Sequence, residues 1–436
     1  MMEAALFLML GGAILGGAIL ARRERLRGWE RAVAARGLQV LETSSFLGLQ
    51  LRAYAGPVEV RIESAGDKGR NTRIVVLAPG PPDFQAVRIC PEPLFKFGRE
   101  IEVGAAYFDS ELFVDGPAKL VLALLDAETR RMLLEVKSKY GLEISAGEIK
   151  TVLSRDEDVP DVLPLLLEIR ERFAPQVEIP RRLTENARQD PEPGVRLQNL
   201  LLLIRELPDA PETVGALREA CLDPVPEIRL RAARELGEEG RGVLFELAES
   251  LLNDEVSAEA VSALAGELPF ERVNAILDRA LSRRRGRTAR ACLEAIGRGG
   301  DAAAVEVLTQ VLEREHGELA PMAAWALGAT GSPAAEPPLI QVLERDDENL
   351  RIAAANALGR VGSVAAVLPL KELADRFLLG ESRKAARQAI AEIQSRVQGA
   401  SPGQLSLAGA EAGQLSLASD PAGRLSLGED ESGNRS

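Results

Sequence analysis

Two stretches decide how this chain is read: "APMAAWALGATG" at Ala320–Gly331 and "LRIAAANALGRVG" at Leu350–Gly362. Each sets paired alanines ahead of a Leu-Gly step, Leu327-Gly328 in the first and Leu358-Gly359 in the second. Working outward, the slot recurs one period earlier as Ile296-Gly297 in "TARACLEAIGRGG", and again as Leu236-Gly237 in "IRLRAARELGEEG". The gap between Leu236 and Ile296 is nearly two periods long and leaves room for one degenerate unit, "SAEAVSALAGELP". "VRLQNLLLLIREL" at Val195 begins the series. Each unit continues with a second apolar helix, as in "AAVEVLTQVLER", "AAEPPLIQVLERDD" and "AAVLPLKELADRF". Self-similarity at a period of about thirty, with two helices per unit, predicts an α-solenoid over residues 181–397.

The slots have physical reasons. Ala232-Ala233, Ala323-Ala324 and Ala354-Ala355 let paired helices approach. The glycine after the leucine is expected to end the first helix with a positive φ. Asp223, Asp346 and Asp347 precede a first helix and suit its N-terminus, while Arg229 and Arg351 sit at the head of one.

The pattern resembles HEAT repeats of the short, bacterial, phycobilisome-lyase-like type. The resemblance implies a helix-pair array that presents an extended surface to protein partners. Two enzyme families use such repeats. The bilin lyases attach chromophores to phycobiliproteins, and a HEAT-type modifying enzyme of that kind is the alternative function. Deoxyhypusine hydroxylase carries His-Glu pairs that bind iron. Here Pro321-Met322 fill the corresponding slot, His316 is followed by Gly317, and no second histidine exists, so the iron chemistry has no ligands.

Composition narrows the rest. Hydrophobic residues make up 46% of the 436 residues and aromatics only 4%, a palette suited to helices. The formal charge of −13 argues against a nucleic-acid partner. Cys90, Cys221 and Cys292 stand apart, which fits a reducing compartment better than a disulfide framework. A single histidine rules out multi-histidine metal sites within one chain. No catalytic residue, metal or cofactor is expected, and the chain reads as a non-enzyme.

The N-terminus opens with an apolar run from Ala4 to Leu20, about 26 Å long as a helix at roughly 1.5 Å per residue. Glu3 precedes it, and Arg22, Arg23, Arg25, Arg27, Arg31 and Arg36 follow. That asymmetry predicts an uncleaved transmembrane helix at 4–21 and a basic juxtamembrane helix at 22–37. It implies a single-pass inner-membrane protein with its N-terminus outside and its main domains cytoplasmic. Gly12 and Gly16 form a GxxxG step that suits self-association.

Between 38 and 175 short alternating runs, "LQVLE", "LQLRAYA", "VEVRIES" and "TRIVVLA", predict antiparallel strands, with "AGDKGRN" as a hairpin loop. Two strands are expected around Phe108-Asp109, then one helix in "AKLVLALLDAETRRMLLEV", a hairpin in "GLEISAGEIKTVL" and a helix in "VPDVLPLLLEIRERF". This is an α+β domain. "FDSELFVDG" and "LLDAETRRMLLEV" resemble a soluble domain found behind single membrane helices in bacterial proteins, a resemblance that implies no chemistry.

Residues 398–436 turn to Gly, Ser, Ala, Pro, Asp and Glu and predict a disordered tail. It repeats Leu-Ser-Leu three times, at Leu405 and Leu407, Leu415 and Leu417, and Leu425 and Leu427. Alternation suits an extended strand with both leucines on one face, and three copies suit multivalent weak binding. A duplication without a ligand is the other reading. "QLSL" resembles the start of the bacterial sliding-clamp-binding peptide. Ala408, Ala418 and Gly428 stand where that peptide has its anchoring Phe, and Arg424 replaces the third Gln, which argues against the clamp as a partner.

The strongest charge cluster is "SRRRGRTAR", with Arg283, Arg284, Arg285, Arg287 and Arg290 as a candidate site for an acidic or phosphorylated ligand. The expected fold is therefore mainly α: a solenoid of HEAT-like helix pairs behind a transmembrane helix and a small α+β domain. The expected function is a membrane-anchored scaffold or adaptor that binds protein partners.

Overall fold

The alternating runs form strands, as a period of two with one buried face requires. The computed structural model describes residues 19–44, 48–66, 71–92, 99–299, 302–376 and 380–396, with two short strands at 405–407 and 415–417. Strands β1 (Gln39–Ser44), β2 (Gln50–Ala55), β3 (Val58–Ala65), β4 (Asn71–Leu77), β5 (Arg88–Pro91), β6 (Leu112–Asp115), β7 (Glu143–Ser145) and β8 (Glu148–Leu153) join in one sheet. Its order is β1-β2-β3-β4-β8-β7-β5-β6, every pair antiparallel. Leu51, Val60, Ile62, Ile74, Val76 and Ile149 are fully buried on one face. Helices α4 (Ala127–Tyr140) and α5 (Val159–Arg172) pack there, with Met132, Leu133, Leu166 and Ile169 buried.

The expectation of a single-pass inner-membrane protein is corrected: among the described residues no helix is long and apolar enough to cross a membrane. The run at 4–21, with Gly12 and Gly16, lies up to residue 18 outside the described residues. The basic segment behind it has another role. Residues 19–34 form α1, whose Trp29 and Val33 are fully buried in the sheet domain. Arg25 pairs with Asp156 at 2.6 Å, and the Trp29 indole N–H donates to the same carboxylate at 3.1 Å. An anchor's positive flank and a docked amphipathic helix leave similar sequences.

Two local expectations also change. Phe108 and Asp109 lie in a short helix, α2 (Ala106–Glu111), not between strands. The Asp109 carboxylate accepts the backbone N–H of Val103 at 3.0 Å and Gly104 at 2.9 Å, which turns the chain into the helix and buries Phe108. The single helix expected next is two, α3 (Ala118–Leu124) and α4. The break falls at Asp126, which caps α4 through the Thr129 N–H at 2.8 Å and holds Arg172 at 2.6 Å and Arg182 at 3.0 Å.

The chain divides into two compact units, Met1–Leu236 and Gly237–Ser436. The division falls inside the repeat array. In the first unit, helices α6 (Ile179–Gln189), α7 (Pro193–Glu206), α8 (Pro211–Ala220) and α9 (Pro226–Leu236) are tied to the sheet domain by buried polar bonds. Arg130 of α4 grips both Asp190 oxygens, at 2.9 and 2.8 Å, and both side chains are almost fully buried. Asn186 donates to the Leu122 carbonyl at 2.8 Å. Arg196 repeats the grip on Asp223, at 2.7 and 2.9 Å, and Asp223 also accepts the Val225 N–H ahead of α9. Such pairs lose much stability if one partner is removed, about 3–5 kcal/mol.

The second unit is helical: α10 (Arg241–Ser250), α11 (Asp254–Ala263), α12 (Phe270–Ser282), α13 (Gly286–Gly299), α14 (Ala302–Arg314), α15 (Leu319–Ala329), α16 (Glu336–Gln341), α17 (Glu348–Val361), α18 (Val367–Arg376) and α19 (Glu381–Arg396). Helices α11, α13, α15, α17 and α19 pack successively on one another. Ala323, Ala324, Ala354 and Ala355 are fully buried, and Asp347 caps α17 through the Leu350 N–H at 3.0 Å.

The repeated glycine has a different use from the one its neighbours suggest. Gly237 does take a positive φ of 57° at a helix end. Gly297, Gly328 and Gly359 instead lie inside α13, α15 and α17. A Cβ on Gly297 would fall 2.8 Å from the Ala326 carbonyl oxygen, and one on Gly328 would fall 2.6 Å from the Ala357 Cβ. A Cβ on Gly359 would run into Glu392 and come within 3.3 Å of the Ala389 Cα. The sequence period is a row of backbone-to-backbone approaches between successive helices.

In the tail, β9 (Leu405–Leu407) and β10 (Leu415–Leu417) pair antiparallel, with Leu415 opposite Leu407 and Leu417 opposite Leu405. Two Leu-Ser-Leu copies thus take the extended form that their alternation suggests. The third copy lies outside the described residues.

The glycine row is tested by a matched pair of substitutions. Gly328→Val should destabilise the chain by about 2 kcal/mol through overpacking. Gly242→Ala, in an open helical position with nothing within 4 Å, should stabilise by about 0.5–1 kcal/mol. Urea unfolding followed by circular dichroism reads both.

Candidate protein-binding surface

The arginine cluster spans the join between α12 and α13. Helix α12 closes in a Schellman turn, with the Arg285 N–H on the Ala280 carbonyl at 2.8 Å and the Arg284 N–H on the Leu281 carbonyl at 3.1 Å. The motif needs a left-handed residue, normally glycine. Here Arg284 fills it at φ 54°, which a side chain tolerates at some cost. Arg283 and Arg284 are both exposed at the corner.

The first anion this cluster meets is internal. Asp254, at the head of α11, accepts the backbone N–H of Arg287 at 3.0 Å and of Thr288 at 2.9 Å, and the Thr288 hydroxyl at 2.7 Å. It therefore occupies the N-terminus of α13. Burial pushes the Asp254 carboxyl up, but the Thr288 and Arg287 hydrogen bonds outweigh it and hold the group below the usual carboxylate range. Arg287 pairs with Glu255 at 2.8 Å on an exposed surface, and Arg290 lies 3.5 Å from Glu294. Arg285 is half-buried, its Nε without a hydrogen-bond partner. The cluster is thus divided: Arg287 and Arg290 face acids of their own unit, while Arg283 and Arg284 stand out at the turn.

Sequence reasoning missed a second feature. The residue ahead of the slot glycine is Leu236, Ile296, Leu327 or Leu358 in the other units and Ala265 in the degenerate one. Helix α11 ends at Ala263, and Gly266 takes a φ of 87°. Where a longer helix would continue, a cavity of about 450 Å³ opens, lined by Leu268, Phe270, Val273, Ala295, Ile296 and Arg298 among others.

The open face of the sheet domain offers a cavity of about 590 Å³ lined by Arg61, Arg73, Lys150 and their neighbours. Its charges answer one another: Arg61 meets Glu148 at 2.6 Å, Arg73 meets Glu63 at 2.9 Å and Lys150 meets Glu148 at 3.0 Å. The surface carries no excess charge for an ionic ligand.

Cys90, Cys221 and Cys292 are free and buried. Burial pushes the Cys292 thiol up to about 12 against the weaker pull of Arg279. Among the described residues no group of three His, Cys, Asp or Glu side chains could hold a metal ion. His316 is exposed between α14 and α15.

Residues 305–391, from α14 into α19, match the family model of HEAT repeats. Among solved structures, human deoxyhypusine hydroxylase in complex with glycerol aligns at 16% identity and TM-score 0.23, over 50% of this chain and 96% of its own. The CpcE–CpcF complex of phycocyanin lyase from a Nostoc species aligns at 21% identity and TM-score 0.30, over 49% and 94%. The karyopherin Kap121p, bound to the extreme C-terminus of the phosphatase Cdc14p, aligns at 14% identity and TM-score 0.38, over 63% and 33%. No curated protein matches the sequence. The segment from α14 into α19 is thus of the HEAT-repeat type.

The Asp254 bridge sets a pH dependence. Its folded pKa is lowered, so its contribution is complete above the unfolded value of about 3.9 and is lost as pH falls through the folded value. Asp254→Asn should cost about 1–2 kcal/mol at neutral pH, and the gap to the native chain should close as pH drops below about 4. Urea midpoints measured from pH 7 to pH 3 check it.

Proposed function

We propose that this chain is a protein-binding scaffold whose HEAT-type array takes an acidic or phosphorylated segment of a partner at the α12–α13 corner. The observation that carries the reading is Arg284. A left-handed turn position is held by a long cationic side chain where glycine would be unstrained. Strain of this kind concentrates where a side chain is needed for contact. Arg283 and Arg284 project from the corner, and the backbone beside them already donates to one carboxylate, that of Asp254. A guanidinium pair gives bidentate recognition of a carboxylate or phosphate. Stacked helix pairs hold the corner rigid, so little ordering is needed on binding.

The reading makes a trade-off measurable. Arg284→Gly should raise stability by about 0.5–1 kcal/mol by relieving the turn. It should also weaken partner recovery, and Arg283→Glu with Arg284→Glu should abolish it. The measurement is a quantitative pull-down of the proteins that the native chain retains, run beside thermal unfolding of each variant. Equal recovery by all variants would remove the corner from recognition. A retained protein carrying a new covalent group would instead favour a modifying enzyme.

A further inference from the structure

The cavity beside α13 and the third tail repeat fit one another. The cavity lies beside the end of α11, where Ala265 stands in the slot that Leu or Ile fills in the other units. Its volume of about 450 Å³ lies in the ~300–1,000 Å³ range of ligand pockets, and Leu268, Phe270 and Ile296 make it apolar. At its rim stands Arg298, well exposed, 3.5 Å from Glu294. Arg290 reaches the same carboxylate from the other side at 3.5 Å. One acid therefore answers two arginines along this stripe of α13.

The occupant is indicated by the residues behind each Leu-Ser-Leu copy. Copies one and two pair with each other as β9 and β10. Copy three alone leads into an unbroken acidic triplet, Glu429, Asp430 and Glu431. In an extended segment Leu425 and Leu427 share a face, and Glu429 comes about 7 Å beyond Leu427 at ~3.3 Å per residue.

The chain is long enough. From α19 back to α13 there are three helix-to-helix steps, through α17 and α15. At ~8–10 Å each these amount to about 24–30 Å. The β9–β10 hairpin brings Leu405 opposite Leu417, so the linker comprises residues 397–404 and 418–424. Those residues extend to about 50 Å and have an r.m.s. span of about 20 Å.

We propose that residues 425–427 dock in the cavity between the end of α11 and α13, with Glu429–Glu431 on the Arg290 and Arg298 stripe. The array then binds its own tail at a site separate from the Arg283–Arg284 corner. The proposal does not depend on the partner reading.

Hydrogen–deuterium exchange on the full chain tests it, because Leu425→Asp with Leu427→Asp alters the tail and leaves the helices intact. The backbone amides of residues 264–273 should exchange about three- to tenfold faster in that variant. This is the protection a millimolar effective concentration confers on a site of ~0.1–0.5 mM affinity. Leu405→Asp with Leu407→Asp should leave exchange there unchanged, and Arg290→Glu with Arg298→Glu should speed it. Protection should be independent of protein concentration. Equal exchange in the native chain and the Leu425/Leu427 variant overturns the proposal. So does equal acceleration by both tail variants, or protection that is lost on dilution, which would place the occupant in a second copy.

Discussion

Two helices can bring their backbones together only where a side chain is absent. In the second unit this constraint falls on one position per repeat. Gly297, Gly328 and Gly359 each leave a gap that the backbone or an alanine Cβ of the next helix fills. The flanking alanines are fully buried because the approach leaves no room for more. A period in the sequence is thus a distance in the structure. The row sets where α13, α15 and α17 touch, and hence where their ends and connecting corners stand.

The same Leu-Gly step can meet two needs, and the expectation of a helix-ending glycine holds for only one of them. At Gly237 the glycine supplies a left-handed φ and a helix stops. In the regular units the helix runs through the glycine and uses the missing Cβ. Composition and spacing are the same in both cases. What differs is the neighbouring helix, which lies a full repeat away in the chain. The strands were more legible, since burial on one face writes a period of two directly into β2, β3, β4 and β8. The arginines after residue 21 were not, because orienting a membrane helix and pairing with Asp156 both call for positive charge beside apolar residues.

The candidate surface was legible in type and not in arrangement. Five arginines close together in one short stretch announce a cationic corner, but not which of them are answered. Asp254 lies a whole helix pair before Arg287, and its carboxylate fills the helix start that local reasoning left open. The positive φ of Arg284 belongs to the turn that closes α12, in which the Arg285 N–H reaches the carbonyl of the buried Ala280. That constraint is tertiary, and the turn accepts arginine only because the corner faces solvent.

A perfectly regular array would offer a partner only ridges and loops, since each helix pair is filled by the next. Recognition by shape needs an interruption. Here α11 ends at Ala263, Ala265 stands in the slot that leucine or isoleucine fills elsewhere, and the glycine behind it is left-handed, as Gly237 is. The partly uncovered apolar surface belongs to Leu268 and Phe270, above a floor of buried Val273 and Ile296. Exposing such residues costs stability locally, and the regular approaches at Gly297, Gly328 and Gly359 offset that cost along the rest of the stack. The degenerate unit is therefore the place where the array trades packing for a cavity, and it lies one helix, α12, away from the strained cationic turn.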